Sequence, residues 1–264
     1  MKIWYQSGTS LERFKSYKKY LQEHVQAAAD PGVQIEVYGT AKGGTGIEYR
    51  FMEFLFTRDI LENGLRAEQQ NFDAFTIGST NDAGLFQARE VLTIPVVGIT
   101  EASLLVACMM GKNFSLITPN EKMIPRFEEI VRKYGLKDRL ACIEYMDFKI
   151  PELEQVFEEP AFQKKQLKEF TEGAKKTIEA GSEVIIPIGA MASLFLARSG
   201  IRQIDGVPVL DTISVAIKMT EMVVKLRKIT GTFVSRRLSF AAPPEAILQE
   251  VCSDYGIKEI RGKR

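Results

Sequence analysis

The sequence has few of the residues on which several common kinds of functional site depend. It contains three cysteines, Cys108, Cys142 and Cys252, with no CxxC pair, and one histidine, His24. Disulfide frameworks and zinc sites need cysteine or histidine in closely spaced sets, so the sequence argues against both. It also argues against a Ser-His-Asp or Cys-His catalytic unit, because His24 lies in a stretch with the pattern of an amphipathic helix.

An excess of charge of either sign is also missing. The 264 residues include 35 Lys and Arg against 34 Asp and Glu, a formal net charge of +1. A protein that binds nucleic acid generally needs a surplus of basic residues, gathered on one face. We therefore expect no nucleic-acid partner, and we interpret the basic tail of Lys258, Arg261, Lys263 and Arg264 as a solvated terminus.

No hydrophobic run is long enough to cross a membrane. The longest run of apolar or small residues, from Ala102 to Gly111, falls far short of the roughly 20 residues that span a bilayer. The first residues, Met1–Trp4, are followed at once by polar ones, which does not resemble a signal peptide. We expect no membrane partner and a cytoplasmic location.

What the sequence does have is an alternation of short strand-like runs with helical stretches. The strand-like runs are residues 2–5, 33–38, 72–77, 96–97, 114–117, 139–144, 184–188 and 207–210. This alternation predicts an α/β architecture with parallel sheets and crossover helices. Eight such units would also fit a barrel.

An internal repeat favours two lobes over one barrel. The segment Leu85–Arg89, between two strand-like runs, has the pattern Leu-Phe-x-Ala-Arg, and Leu194–Arg198 repeats it between two others. We therefore predict two related α/β lobes with one site between them, the first formed by 1–98 together with 212–264 and the second by 99–211. Ligands in such sheets bind beyond the carboxyl ends of the strands.

Polar turns follow several of the predicted strands at that end. The candidate ligand-binding residues in these turns are Gln6, Ser7, Ser79, Thr80, Asn81 and Thr118. Hydroxyls beside a helix N-terminus favour a carboxylate or another oxyanion, because the first backbone amides of a helix have no partner within it. The alternative for each of them is ordinary helix capping.

Two carboxylates and a glycine-rich loop complete the set of candidates. Glu101 and Asp211 each follow a strand on the predicted ligand side, where a partly desolvated carboxylate could act as a base or cap a helix. The loop from Gly39 to Gly46, which contains Thr45, lacks the Gly-Lys-Ser/Thr ending of a nucleotide-binding P-loop. Its glycines more simply allow the backbone to approach the cleft.

Taken in order, several of these segments resemble the aspartate/glutamate racemase superfamily, most closely its hydantoin and allantoin racemase branch. The matching pieces are 44–48, 75–79, 82–85, 94–102, 114–118 and 207–211. The resemblance implies two pseudosymmetric Rossmann-like lobes with parallel sheets, an active site in the interlobe cleft, and no metal, nucleotide or pyridoxal cofactor. It also implies two cysteines facing each other across the substrate, one thiolate removing a proton and the other thiol returning one.

The sequence departs from that pattern at both cysteine positions. The first aligns with Ser79, and the second aligns with Ile188, or with Gly189 if the turn is shifted by one residue. A serine hydroxyl is a far weaker acid than a thiol, and neither isoleucine nor glycine transfers protons. Two-thiol racemisation is therefore excluded unless one of the three cysteines reaches the cleft.

From these residues we predict an enzyme that binds a small carboxylate, imide or ureido (hydantoin-type) substrate in an oxyanion-stabilising cleft. The predicted chemistry is hydrolysis, carbon–carbon cleavage or one-base isomerisation, with Ser79, Glu101 and Asp211 as catalytic candidates. Gln6, Ser7, Thr45, Thr80, Asn81, Thr118, Ile188 and Gly189 are the binding candidates. The alternatives are a racemase with unrecognised acid–base groups and a non-catalytic small-acid binding protein. A homo-oligomer is expected, because enzymes of this size commonly form one.

Overall fold

A computed structural model describes residues 1–43, 45–148 and 154–257 of the chain. Gly44, part of the glycine-rich loop, and the predicted basic tail from Lys258 onward lie outside the described residues. No described helix combines the length and the apolar character needed to cross a bilayer.

The strands occur close to where the sequence predicts them. They are β1 (Lys2–Gln6), β2 (Gln34–Tyr38), β3 (Ala74–Ile77), β4 (Val96–Gly98), β5 (Phe114–Thr118), β6 (Leu140–Tyr145), β7 (Val184–Pro187), β8 (Gln203–Ile204) and β9 (Val207–Pro208). The α-helices are α1 (Lys15–Ala28), α2 (Arg50–Gln69), α3 (Leu85–Val91), α4 (Ile99–Met110), α5 (Ile124–Lys133), α6 (Pro160–Glu179), α7 (Ala190–Arg198), α8 (Thr212–Thr230) and α9 (Glu245–Asp254).

Strands β1 to β7 form two open parallel sheets and not a barrel. The first sheet has the order β2-β1-β3-β4 and the second the order β6-β5-β7. A bridge between Ile185 and Val209 adds a short fourth position beside β7, so the second sheet repeats the order of the first. This duplicated order confirms the predicted α/β fold with two related parallel sheets.

The two sheets take their strands from separate parts of the chain, and the lobe boundaries stay a prediction. The strands of the first sheet fall within 1–98 and those of the second within 99–211. Helix α8, in the segment assigned to the first lobe, packs on β3 and β4 and also against α4. The central strands are buried on both faces, as parallel strands between helices are: β3 and β7 each have four buried residues.

A short hairpin between β8 and β9 was not predicted. Gln203 pairs with Pro208 and Ile204 with Val207 in antiparallel fashion. The two turn residues, Asp205 and Gly206, have φ values of 48° and 82°. An Asp-Gly pair with both φ angles positive is typical of a tight two-residue hairpin turn, so the signal was present in the sequence.

Candidate functional site

A pocket lies where the carboxyl ends of the two sheets face each other. Its described lining comes from the turns after β1, β3, β5 and β7, from parts of α1, α2 and α7, and from Ile47 before α2 and Phe148 after β6. The lining residues are Ser7, Gly8, Thr9, Tyr17, Ile47, Phe56, Gly78, Ser79, Thr80, Asn81, Pro119, Met123, Phe148, Gly189, Ala190, Met191 and Ala192. The pocket therefore lies in the interlobe cleft, with hydroxyl and amide groups on part of its wall and apolar side chains on the rest.

The turn after β3 carries Ser79, Thr80 and Asn81 into this cleft. It is closed by the Asp82 backbone N–H, which donates to the Ser79 carbonyl at 2.8 Å. The Thr100 hydroxyl of α4 donates to the Thr80 carbonyl at 2.6 Å. These bonds fix the backbone of the turn, and all three residues belong to the described pocket lining.

Asp82, the residue after this turn, anchors it. Its carboxylate accepts from the backbone N–H groups of Thr100 (3.0 Å) and Glu101 (2.8 Å), at the start of α4. It also accepts from the Tyr134 hydroxyl of the second lobe at 2.6 Å. Burial raises the pKa of Asp82 to about 6, against these hydrogen bonds, which act to lower it.

This raised pKa gives a pH dependence of stability. Asp82 holds its proton more tightly in the folded chain, with a pKa of about 6 against an ordinary value of 3.8. The contribution of Asp82 to the free energy of unfolding is therefore full below about pH 4. It falls by about 3 kcal/mol as the pH rises through 6. We expect the unfolding free energy of wild type to fall from about pH 4 to about pH 7 relative to that of Asp82→Asn. Parallel pH profiles for the two proteins would contradict the raised pKa.

Gly189 lies opposite the Ser79 turn, at the start of α7. The Gly78 N–H donates to the carbonyl of Gln6 at 2.8 Å, and the Ile188 N–H makes the equivalent bond to Ile117 at 2.9 Å. Gly78 thus corresponds to Ile188, and the next residue, Ser79, corresponds to Gly189. Ala190 and Met191 follow Gly189 along the pocket wall, and the first amides of α7 have no partners within that helix.

A side chain at position 189 would be strained. Gly189 has φ 132°, a conformation that residues with a Cβ rarely adopt. A Cβ there would also lie 2.7 Å from Cγ of Pro119. The place that corresponds to Ser79 therefore carries no side chain.

Ile188, the first alternative for the second cysteine position and a predicted binding residue, does not face the cleft. Its side chain is 1% exposed and packs in the core of the second sheet with Leu116 and Phe127. Successive residues of an extended segment point to opposite faces, so a shift of one residue exchanges core for cleft.

Two other predicted binding residues, Gln6 and Thr118, are buried below the pocket. The Gln6 side chain donates to the Ser7 carbonyl at 2.9 Å and accepts from Asn63 at 3.0 Å. The Thr118 hydroxyl donates to the Asn120 carbonyl at 2.8 Å. Both side chains support turns, and neither belongs to the described lining. Ser7, in contrast, lines the pocket, and its hydroxyl lies 3.2 Å from that of Thr9.

Thr45 lies in a neighbouring open cavity and not in the pocket itself. That cavity is shared with Tyr49, Asn120 and Asp147, and it meets the pocket at Phe148. Thr45 and Gly46 thus lie in a cavity next to the pocket.

Glu101 is turned away from the cleft by an ion pair. Its carboxylate binds Arg89 through both guanidinium Nη atoms, one of them at 2.8 Å. Arg89 also donates to the Val96 carbonyl at 3.2 Å. The structure therefore places Glu101 in a link between α3 and α4 and outside the described pocket lining.

Asp211 serves as the N-terminal cap of helix α8. Its side chain accepts from the Ser214 backbone N–H at 3.1 Å at the start of α8, and from the Ser214 hydroxyl at 2.6 Å. Nε2 of His24 lies 2.9 Å from the same carboxylate. Burial acts to raise the pKa of Asp211, but the bonds from His24 and Ser214 outweigh it and lower the pKa.

Replacing Asp211 tests this structural role. We expect Asp211→Ala to lower the unfolding free energy by about 1–2 kcal/mol, because the first amides of α8 lose their cap. Ligand binding in the cleft should be unchanged in the folded fraction. Chemical denaturation measures the first effect and calorimetric titration the second. A loss of turnover with unchanged stability would show that Asp211 acts in the reaction and not as a cap.

No described cysteine lines the pocket. Cys108 lies on α4, Cys142 on β6 beside the Ser115 hydroxyl at 3.4 Å, and Cys252 is buried on α9. Burial raises the pKa of Cys142 and of Cys252. Within the described ranges, no group of three or more His, Cys, Asp or Glu residues is arranged to hold a metal ion.

Tyr17 is the one titratable side chain in the described lining, and sequence reasoning did not single it out. It reaches the pocket from α1 and is hydrogen bonded to Ser7, and burial raises its pKa well above the ordinary value. Its place on the buried side of an amphipathic helix was visible in the sequence, but its approach to Ser7 depends on how α1 packs on the sheet.

Comparison with known proteins agrees with this architecture. The family model for Asp/Glu/hydantoin racemases matches residues 15–220. A hydantoin racemase from Pseudomonas sp. (strain NS671) is 30% identical over 213 residues, 81% of this chain and 83% of that protein. Another, from Rhizobium meliloti, is 34% identical over 156 residues, 59% of this chain and 62% of that protein.

A solved structure of similar shape is the allantoin racemase from Klebsiella pneumoniae. It has a TM-score of 0.80 and 26% sequence identity, with 92% of this chain and 94% of that chain covered. The racemase names of these relatives give no support to the predicted hydrolysis or carbon–carbon cleavage. With the family model spanning most of its length and the duplicated sheets enclosing the cleft, the chain belongs to the Asp/Glu/hydantoin racemase family.

Proposed function

We propose that this chain is a racemase-type enzyme that exchanges a proton at a carbon next to a carbonyl group. The substrate is a small carboxylate, imide or ureido (hydantoin-type) molecule bound in the interlobe cleft. The observation that carries the proposal is the Ser79–Asn81 turn of one lobe facing the start of α7 across the pocket, in a chain whose relatives include hydantoin and allantoin racemases.

The cleft is suited to stabilise the charge that such a reaction develops. Loss of a proton beside a carbonyl leaves an enolate, with its negative charge on the carbonyl oxygen. Hydroxyls of Ser79 and Thr80, and the first amides of α7 at Ala190 and Met191, are donors that this oxygen can accept from. Donors fixed in place before the reaction lower its barrier, since none has to reorient.

The described lining offers no strong base. It contains no carboxylate, imidazole, amine or thiol, and the phenol of Tyr17 has a raised pKa. Hydroxide from solvent, bound in the cleft, would therefore remove the proton and become water, while the Ser79 hydroxyl donates to the enolate oxygen. This favours a substrate with an acidic C–H bond, such as an imide or ureido ring, over a free amino acid, whose own carboxylate disfavours further negative charge.

Solvent deuterium exchange tests the proposal directly. One enantiomer of 5-methylhydantoin, incubated with the enzyme in D₂O, should take up deuterium at C5 faster than in buffer alone. Ser79→Ala should slow this uptake by about 10²–10³-fold if the hydroxyl is one donor among several. No uptake above buffer, across hydantoins and small carboxylates, would overturn the proposal.

A second function, ligand binding without turnover, is favoured by the same lack of a base. In that case a small acid or ureido ring should raise the melting temperature and be recovered unchanged, with no deuterium incorporated. The two measurements on one sample separate the functions. Binding without turnover raises the melting temperature and incorporates no deuterium, whereas turnover incorporates deuterium.

A further inference from the structure

Arg126 of α5 reaches from the second lobe to residues of the first lobe at the cleft. Its side chain is buried, and its guanidinium donates to the carbonyls of Ile47 at 3.0 Å and Glu48 at 3.2 Å. The same group lies 2.9 Å from Oε2 of Glu53 on α2. Because Ile47 lines the pocket, Arg126 fixes part of the pocket wall through these contacts.

Glu53 also contacts Asn81, and this contact orients the Asn81 amide. The Asn81 side-chain Nδ2 donates to Glu53 Oε2 at 3.3 Å, the oxygen that also faces Arg126. A carboxylate that receives bonds from an arginine offers acceptors only, so the amide must turn its NH₂ group toward Glu53. The carbonyl oxygen of the amide, Oδ1, then points away from Glu53.

Oδ1 of Asn81 is buried and has no hydrogen-bond partner among the described residues, and Asn81 itself lines the pocket. Helix capping does not account for the side chain: α3 begins at Leu85 after Gly84, and no side chain caps it. A buried carbonyl oxygen without a donor is costly, and a ligand that brings an N–H group removes that cost.

We propose that Asn81 is a specificity-determining residue that selects ligands with an N–H group at this point, as in a ureido or imide ring, over ligands with an oxygen there. Glu53 and Arg126 are the positioning residues that hold its amide in this orientation. The inference rests on the proposed function in that the ligand occupies the interlobe cleft.

A pair of rings of the same shape tests the selection. Imidazolidin-2-one is a cyclic urea with two ring N–H groups, and ethylene carbonate has oxygen in both places. We expect wild type to bind the urea about tenfold more tightly, since an oxygen facing Oδ1 leaves that acceptor unpaired. In Asn81→Ala the two dissociation constants, measured by ligand-observed NMR, should agree within about twofold.

Variants at Glu53 test the orienting role. Glu53→Gln keeps an oxygen that can accept from Arg126 and Asn81, so the preference for the urea should remain. Glu53→Leu removes the acceptor and frees the amide to rotate, so the preference should fall while the urea still binds. The ratio of the two dissociation constants reports orientation, whereas a general loss of folding would weaken both rings together.

Several outcomes would overturn this inference. It is overturned if wild type binds the two rings with equal affinity or binds neither. It is also overturned if the preference for the urea persists in Asn81→Ala. If the preference survives in Glu53→Leu, Glu53 and Arg126 are not positioning residues. Deuterium uptake by 5-methylhydantoin is measured separately: uptake without ring discrimination removes the role of Asn81 and leaves the proposed function standing.

Discussion

Ser79→Cys should raise the rate of deuterium uptake at C5 of 5-methylhydantoin by about 10²-fold or more. Ser79 lies in the described pocket lining, at the position where the resemblance to the family predicts a cysteine. A thiol has a pKa of about 8.5, far below that of an alcohol, so a fraction is ionised near neutral pH and can remove the proton. Acid–base groups with a matched pKa typically contribute about 10²–10⁴-fold.

In the Ser79→Cys variant, the proton should be removed from and returned to the same face of the substrate. Gly189 opposite has no side chain to return a proton to the other face. Deuterium uptake, followed by NMR, should therefore outpace loss of optical rotation. Ser7→Cys puts a thiol elsewhere in the same cleft and is the matched control, with an expected gain below tenfold. An equal gain in the two variants would show that the position of Ser79 is not special.

Gly189→Cys should destabilise the chain strongly. The positive φ of 132° and the 2.7 Å approach of a Cβ to Pro119 Cγ act together. Backbone strain of this kind costs about 1–3 kcal/mol, and overpacking costs a similar amount, so the expected loss of unfolding free energy is about 2–6 kcal/mol. Chemical denaturation of the single variant measures it.

Ala190→Cys is the control for this prediction. Ala190 lines the same pocket, already has a Cβ and opens α7. The added sulfur should therefore cost clearly less stability than at Gly189. If the two variants are equally stable, the strain at Gly189 is relieved by a movement of Pro119, and a second thiol could be installed opposite Ser79.

The fold was predictable because its signals are local. Buried strands such as Ala74–Ile77 appear as apolar runs, and the repeat of Leu85–Arg89 at Leu194–Arg198 identified two related lobes. The cleft followed from the rule that parallel strands present their carboxyl ends on one side. Ser79, Thr80 and Asn81 were found in this way.

Glu101 and Asp211 lie outside the described pocket lining because of side-chain partners that the sequence pattern does not reveal. Glu101 and Asp211 do follow strands, but Arg89 and His24 hold their carboxylates elsewhere. The sequence left positions 188 and 189 as alternatives for the second cysteine position. Which of them faces the cleft depends on where β7 ends, because a shift of one residue moves a side chain to the opposite face. The expected homo-oligomer and cytoplasmic location stay predictions.

Helix α5 contacts the first lobe at two points about two helical turns apart. Arg126 binds the backbone beside the cleft and Tyr134 binds Asp82. Each contact pairs a buried polar or charged group with a partner in the other half, and losing that partner while the group stays buried is costly. Heating should accordingly melt both halves in one cooperative calorimetric transition, despite their origin as two similar units.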